Sequence, residues 1–275
     1  MSKKVFMLLF AALLAIPAAG IAETLTYSGS STIGTGILTA GAVDAFAKKT
    51  GKKFSLVDIP GSGKGVKALI EGKVELAGAS RPLKPEEKKE KLSAVTIGYD
   101  AVAVFVHKSN PVKNLTKEQL KGIFTGKIKN WKEVGGKNAP IVPNTEILDG
   151  KRATIEMFQE HVMDGAAYAK FKQVDLPRDQ IVELAKEENG ICSVSLGLLA
   201  TLGNDVRSKV KTVTVSGVAP DDKNVQSGAY IISRPLLLVT KGLPKGDVKE
   251  FINFMLSPEG QAIVTKNFVP VRKAK

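Results

Sequence analysis

Three stretches of this 275-residue chain combine small residues with hydroxyls: Gly29-Ser30-Ser31-Thr32, Gly61-Ser62-Gly63-Lys64-Gly65 and Gly78-Ala79-Ser80-Arg81. That chemistry suits an anion. Backbone N–H groups left free at a helix N-terminus attract negative charge, and neighbouring hydroxyls add donors, so an oxyanion can be held without a dedicated cation. A single Ser/Gly loop serves equally well as an ordinary helix cap. Three of them, each following a strand-like run and leading towards a helix, argue for a site, because loops at the carboxyl ends of parallel strands meet in one crevice.

Other chemistries fit less well. Gly63-Lys64 follows a strand-like run, but a P-loop needs a Gly separated by four residues from the Gly-Lys pair and Ser or Thr after it; Asp58 and Gly65 stand there, and Lys64 reads as an exposed first-turn residue. The two histidines, His107 and His161, are far apart, and there is one cysteine, so no metal spacing exists and no metal or cofactor is expected. Nothing matches a Gly-x-Ser-x-Gly elbow, and an esterase using Ser31 or Ser62 would lack a base. The chain therefore does not read as an enzyme. Glu86-Glu87 and Glu187-Glu188 sit in Lys-mixed runs and read as solvent-facing. Trp131, the single tryptophan, follows Phe124 and Ile128 at helix-like spacing and reads as packing.

The elements that must position these loops alternate. Leu25-Thr26-Tyr27, Phe54 to Ile59 and Val74 to Ala79 read as strands, and Val66, Leu69 and Ile70 mark the inner face of a helix between the last two. Repetition of strand, turn and helix predicts an α/β fold with a largely parallel sheet. Ala101 to Val106 is a fully apolar strand ended by Ser109-Asn110-Pro111, where a lobe boundary is expected, and Thr116 is placed to cap the next helix. A second long apolar strand, Tyr230 to Val239, would carry the chain back to the first lobe; Pro235 within it suggests an edge or a bulge. Asp247 to Leu256 has the pattern of an amphipathic helix. The expected organisation is a first lobe over residues 23–108, a second over 109–231, and a return segment over 232–275.

The N-terminus carries Lys3-Lys4, an apolar run from Val5 to Ile16, and Pro17-Ala18-Ala19-Gly20-Ile21-Ala22. This is the order of a signal peptide, residues 1–22, cut after Ala22, and the run is too short for the ~20 residues of a spanning helix. Cys192 is far from that site, which leaves no cysteine to carry a lipid and no disulfide framework. Net charge is +13, or +11 without Lys3 and Lys4, spread as lysines along the chain. Export to the periplasm argues against nucleic acid as the partner, and the summed field draws small anions.

These residues fall into a pattern that resembles the periplasmic phosphate-binding components of phosphate ABC transporters, in their shorter members. The resemblance is carried by Ser28 to Thr32, Gly61-Ser62-Gly63, Gly78 to Leu83, the Leu120 to Trp131 segment, Ser193 to Gly197, Ser216 to Pro220, Ser233-Arg234-Pro235-Leu236 and Leu256 to Gln261. It implies the type II periplasmic-binding-protein fold, with two α/β lobes joined by two crossover strands and a small inorganic oxyanion, phosphate first, held between them. It also implies a monomer that delivers its ligand to an ABC permease in the inner membrane. The resemblance carries ligand contacts over to Thr32 with neighbouring Ser31 and to Ser62 with Gly63; Ser80 and Arg81 flank the third loop, Thr154 holds the family's Thr position, and Arg152 either supplies a guanidinium from a shifted position or points to solvent. Two places depart from the family. Arg81 stands where larger members have an acid that accepts the proton of hydrogen phosphate, and Asn144 to Thr154 replaces an Arg followed by Ser-Gly-Thr, with Arg152 shifted from the expected position. Tungstate, molybdate, sulfate or a small carboxylate, or anion sensing without transport, therefore remain open alternatives.

Overall fold

A computed structural model describes residues 25–271; the signal-peptide reading of residues 1–22 lies outside them. Strand β1 (Leu25–Gly29) leads into α1 (Ser31–Ile33), a π-helical stretch Gly34–Ala42 and α2 (Val43–Thr50), followed by β2 (Phe54–Asp58), α3 (Ser62–Ile70) and β3 (Leu76–Ala79). A short α4 (Pro85–Lys88) precedes the long β4 (Leu92–His107). Then come β5 (Asn114–Leu115), α5 (Lys117–Phe124), β6 (Val142–Glu146), α6 (Ala153–His161), β7 (Lys172–Val174) and α7 (Pro177–Leu184). The chain continues through β8 (Gly190–Ser195), α8 (Asn204–Arg207), β9 (Val210–Val215) and α9 (Asp222–Ser227). It closes with β10 (Ser233–Lys241), α10 (Gly246–Leu256), α11 (Pro258–Thr265) and β11 (Val269–Pro270).

Local chemistry explains the element ends. Thr116 Oγ1 accepts from the Gln119 amide at 3.2 Å while the Gln119 side chain accepts from the Thr116 amide at 2.9 Å, a reciprocal cap that starts α5. In α3, Val66 and Leu69 are buried while Lys64 and Lys67 face solvent, as the helical period requires.

Hydrogen bonding orders the strands β2-β1-β3-β10-β4-β8-β6-β7, with β9 and β11 also on β4 and β5 on β9. In one lobe β1 lies parallel between β2 and β3; in the other β6 lies parallel between β7 and β8. Strand β4 serves both, pairing with β10 over residues 92–101 and with β8 and β9 over 102–107. Each lobe has its own apolar core. Phe46, Phe251, Phe254 and Leu238 fill the first, and Phe124, Trp131, Phe158 and Val104 the second. Edge-on ring pairs, Phe46 with Phe251 at 5.2 Å and Phe124 with Phe158 at 4.8 Å, lock them; such pairs add about 0.5–1.5 kcal/mol beyond burial. This is a two-lobed α/β fold, with β4 and β10 at the crossing.

The sheet is less parallel than the strand–helix alternation predicts. Both β4 and β10 run antiparallel to every strand they pair with, because one carries the chain out of the first lobe and the other brings it back. Pro235 is not at an edge, since β10 lies between β3 and β4. It is tolerated because β3 pairs only with Leu237 to Val239 and the register with β4 slips between Leu236 and Leu237. The expected strand start at Tyr230 is instead a connector: Tyr230 and Ile232 are buried, and the Tyr230 hydroxyl donates to the Val102 carbonyl at 3.1 Å. Trp131 packs in the second core, on a 3-10 turn, and its indole N–H donates to the Asn189 carbonyl at 2.9 Å. Among the described residues no helix is long and apolar enough to cross a membrane.

Candidate anion-binding cleft

The three hydroxyl-rich loops meet at the carboxyl ends of β1, β2 and β3, stitched by their own polar groups. The Ser30 amide donates to the Gly78 carbonyl at 2.8 Å, the Gly61 amide to the Gly29 carbonyl at 3.0 Å, and the Ser80 amide to Ser62 Oγ at 3.1 Å. Two glycines make this approach possible. A Cβ on Gly29, which sits at φ 153°, would lie 2.3 Å from the Gly78 carbonyl oxygen, and one on Gly65 would lie 2.2 Å from Gly29 Cα. Ser30 uses its hydroxyl to cap α1, accepting from the Ile33 amide at 3.3 Å. Ser31 and Thr32 beside it are likewise buried.

Between the lobes a guanidinium on the returning crossover strand is buried. Arg234 donates through Nε and Nη2 to Asp100 Oδ2 on β4, at 3.0 and 2.8 Å. The same group reaches Thr32 Oγ1 of the first lobe at 3.1 Å and Thr154 Oγ1, in the first turn of α6 in the second lobe, at 3.2 Å. Both charged side chains are essentially inaccessible, at 0% and 1% exposure. A charge buried this way persists only when paired and hydrogen-bonded, and removing one partner of such a pair costs about 3–5 kcal/mol. Thr32 and Thr154 are thus brought together through Arg234, and Ser62 and Ser80 through their own contact, with the two Oγ atoms 3.5 Å apart.

The remaining predicted site residues have other partners. Arg81 forks onto Glu87 at 2.8 and 2.7 Å, gives Nε to Glu156 at 2.8 Å, and reaches the Pro82 carbonyl. Arg152 is buried rather than solvent-facing; it donates to the Ile59 carbonyl at 3.2 Å and to Asp175 at 2.9 Å. Gly63 turns its amide to the Lys151 carbonyl at 3.3 Å. Sequence reasoning from residue types missed Arg234, Asp100, Glu146 and Glu156. A signal existed for the first two: each is a lone charge set against a long apolar strand, where only a partner on the neighbouring strand makes it affordable.

Charges around the cleft are largely neutralised in pairs, so attraction for an anion at short range rests on hydroxyls and amides. Glu146 is the exception. It is 1% exposed, its nearest cation is Arg152 Nε at 3.8 Å, and neither oxygen accepts a hydrogen bond of good geometry. Burial raises its carboxyl above the ordinary range, opposed by Arg152 and Arg234. His107 is hydrogen-bonded to Ser109 at 2.7 Å and His161 is exposed at the end of α6, so neither is the base a serine nucleophile needs. Among the described residues no group of three or more His, Cys, Asp or Glu side chains is arranged to hold a metal.

Comparison with known proteins adds independent findings. Residues 17–259 match the PBP superfamily domain. The phosphate-binding protein PstS of Staphylococcus saprophyticus is 33% identical over 261 residues, spanning 89% of this chain and 79% of the relative. That of Bacillus subtilis is 33% identical over 260 residues, spanning 92% and 82%. A Clostridium perfringens structure, assigned as a phosphate ABC transporter substrate-binding protein and solved with bound phosphate, superposes with a TM-score of 0.79 at 36% identity, covering 90% of this chain and 100% of that one. An ABC-type phosphate transport receptor from Vibrio cholerae shares the fold, with a TM-score of 0.73 at 24% identity over 89% of this chain and 99% of that one.

Proposed function

This chain belongs to the PBP superfamily and, within it, to the substrate-binding proteins of phosphate ABC transporters, and from that premise we propose that phosphate is captured in the cleft between its lobes. One observation carries the assignment to this cleft: Arg234, buried on the crossover strand, holds Thr32 of one lobe and Thr154 of the other beneath three hydroxyl-rich loops. A tetrahedral oxyanion needs donors from several directions, and that arrangement supplies them from both lobes. Ser31, Thr32, Ser62, Ser80 and Thr154 give hydroxyls, and Gly63 lets the start of α3 approach closely. Arg81 and Arg152 hold the loops that face the anion.

For the lobes we keep the division expected from the sequence, residues 23–108 with 232–275 and 109–231 between them; strands β4 and β10, which cross from one to the other, are in keeping with it. Residues 1–22 direct export and are removed after Ala22, and the mature monomer works in the periplasm, releasing phosphate to an inner-membrane permease. Its reading as a binding protein rather than an enzyme is supported by the family and by the histidines, neither of which, among the described residues, stands beside the buried serines.

Titration calorimetry with phosphate, arsenate, sulfate, molybdate and tungstate tests this. One equivalent of phosphate should bind, arsenate should compete, and the other three should bind far more weakly. Replacing Thr32 or Thr154 by Val should weaken phosphate about 10-fold or more, the cost of a lost hydrogen bond to a charged group. No heat with phosphate and tight binding of another oxyanion would overturn the assignment.

A further inference from the structure

Four side chains at the rim of the cleft form a closed ion-pair set. Arg81, on the loop after β3, forks onto Glu87 of α4 at 2.8 and 2.7 Å, and both belong to the first lobe. Its remaining Nε crosses to Glu156 on α6 of the second lobe at 2.8 Å, where Lys84 Nζ meets the other oxygen at 2.7 Å. Two positive and two negative charges leave the set with no net charge. Within this set, opening the lobes would leave the Arg81–Glu87 fork intact and break the two bonds to Glu156, alongside the Arg152–Ile59 and Gly63–Lys151 bonds that also cross between the lobes.

We infer that Glu156 is a positioning residue for ligand capture: it ties the third loop of the first lobe to α6 of the second and thereby sets how much of the protein is closed. The inference rests on the phosphate reading for its ligand but not for its geometry. Glu156 stands in the first turn of α6, two residues after Thr154, so the tie also fixes the turn that presents Thr154 to Arg234. Arg81 is only 4% exposed, so loss of Glu156 leaves a buried guanidinium N–H unpaired in the closed form, which opening relieves. Lys84 and Glu156 are 39% and 24% exposed, and solvent screens that part of the link. Affinity scales with the fraction of binding-competent protein, so the expected effect is moderate.

The test compares wild type, Glu156→Gln and Lys84→Gln by phosphate calorimetry, stopped-flow release and small-angle scattering with and without phosphate. Glu156→Gln should weaken phosphate about 3- to 10-fold, chiefly through faster release, and enlarge the radius of gyration without phosphate. Lys84→Gln should move both in the same direction by less, and saturating phosphate should make all three proteins equally compact. Wild-type release rate and dimensions in Glu156→Gln, even with a lower melting temperature, would overturn the inference. Should Glu156→Gln fail to fold, Lys84→Gln, altered at a partly exposed side chain, decides by the same readouts. Absence of phosphate binding in the wild type would defeat the phosphate reading, while scattering without ligand would still decide the tie.

Discussion

Two buried acids near the cleft differ in what stands beside them. Asp100 receives two bonds from Arg234 at 3.0 and 2.8 Å and works as part of a neutral unit. Glu146 is equally buried, but its nearest cation is 3.8 Å away, and desolvation outweighs that attraction, so its carboxyl holds its proton to higher pH than in the unfolded chain. The sign of the consequence follows from proton counts. Below the ordinary value of 4.5 both states are protonated and burial carries no charge penalty. As pH rises above it, the unfolded chain ionises first and binds fewer protons than the native state, so stability falls until the raised native value is passed. Glu146→Gln removes that titration. Thermal melts should show the variant gaining on wild type as pH goes from about 4 to 8, with each unit of native shift worth about 1.4 kcal/mol; a difference that does not change with pH would refute the assignment of a raised carboxyl. Asp175, Arg152 and Arg234 face the same group and are unchanged in the comparison.

Close approach of the loops depends on element packing as much as on hydroxyls. Helix α3 sits against the end of β1 so tightly that a Cβ on Gly65 would fall 2.2 Å from Gly29 Cα and 2.4 Å from the Ser28 carbonyl, backbone atoms that cannot swing aside. Gly65→Ala should therefore push α3 off β1. A destabilisation of about 1–3 kcal/mol is expected in denaturant melts, with a larger loss of phosphate affinity than any single hydroxyl variant; unchanged affinity would show that loop spacing tolerates the shift. Much of this level was legible in the sequence. The hydroxyl loops, the α3 face of Val66 and Leu69, and the Thr116 cap all follow from local spacing. Strand direction in β4 and β10 was not, because it depends on which strands a long apolar run meets, and the same run fits either orientation. Arg234 stood out only as a lone charge against an apolar strand and as part of a family motif, and its partner Asp100 lies 134 positions away. Arg81 and Arg152 drew attention as guanidiniums beside anion loops, yet local sequence says nothing of Glu87, Glu156 or Asp175 competing for their donors.

At the scale of the whole molecule, the charge that attracts the ligand and the groups that hold it are separate. Net charge is +13 over the full chain, or +11 without Lys3 and Lys4, and its lysines are spread along the sequence. In the cleft, Arg234 is matched by Asp100, Arg152 by Asp175, and Arg81 with Lys84 by Glu87 with Glu156. Fields from exposed lysines act over a distance and are screened within about 10 Å at 0.1 M salt, whereas bonds from buried hydroxyls and amides are screened far less. The two therefore govern different rates. Raising potassium chloride from about 20 to 300 mM should slow phosphate association several-fold while leaving release within about 2-fold of its low-salt value. Stopped-flow measurements separate the rates directly. A release rate that climbs with salt while association stays flat would mean that an exposed, unpaired cation holds the bound anion, contrary to the paired arrangement around Arg234; the expected pattern instead leaves recognition to Thr32, Thr154 and the serine loops, and leaves delivery to the surface.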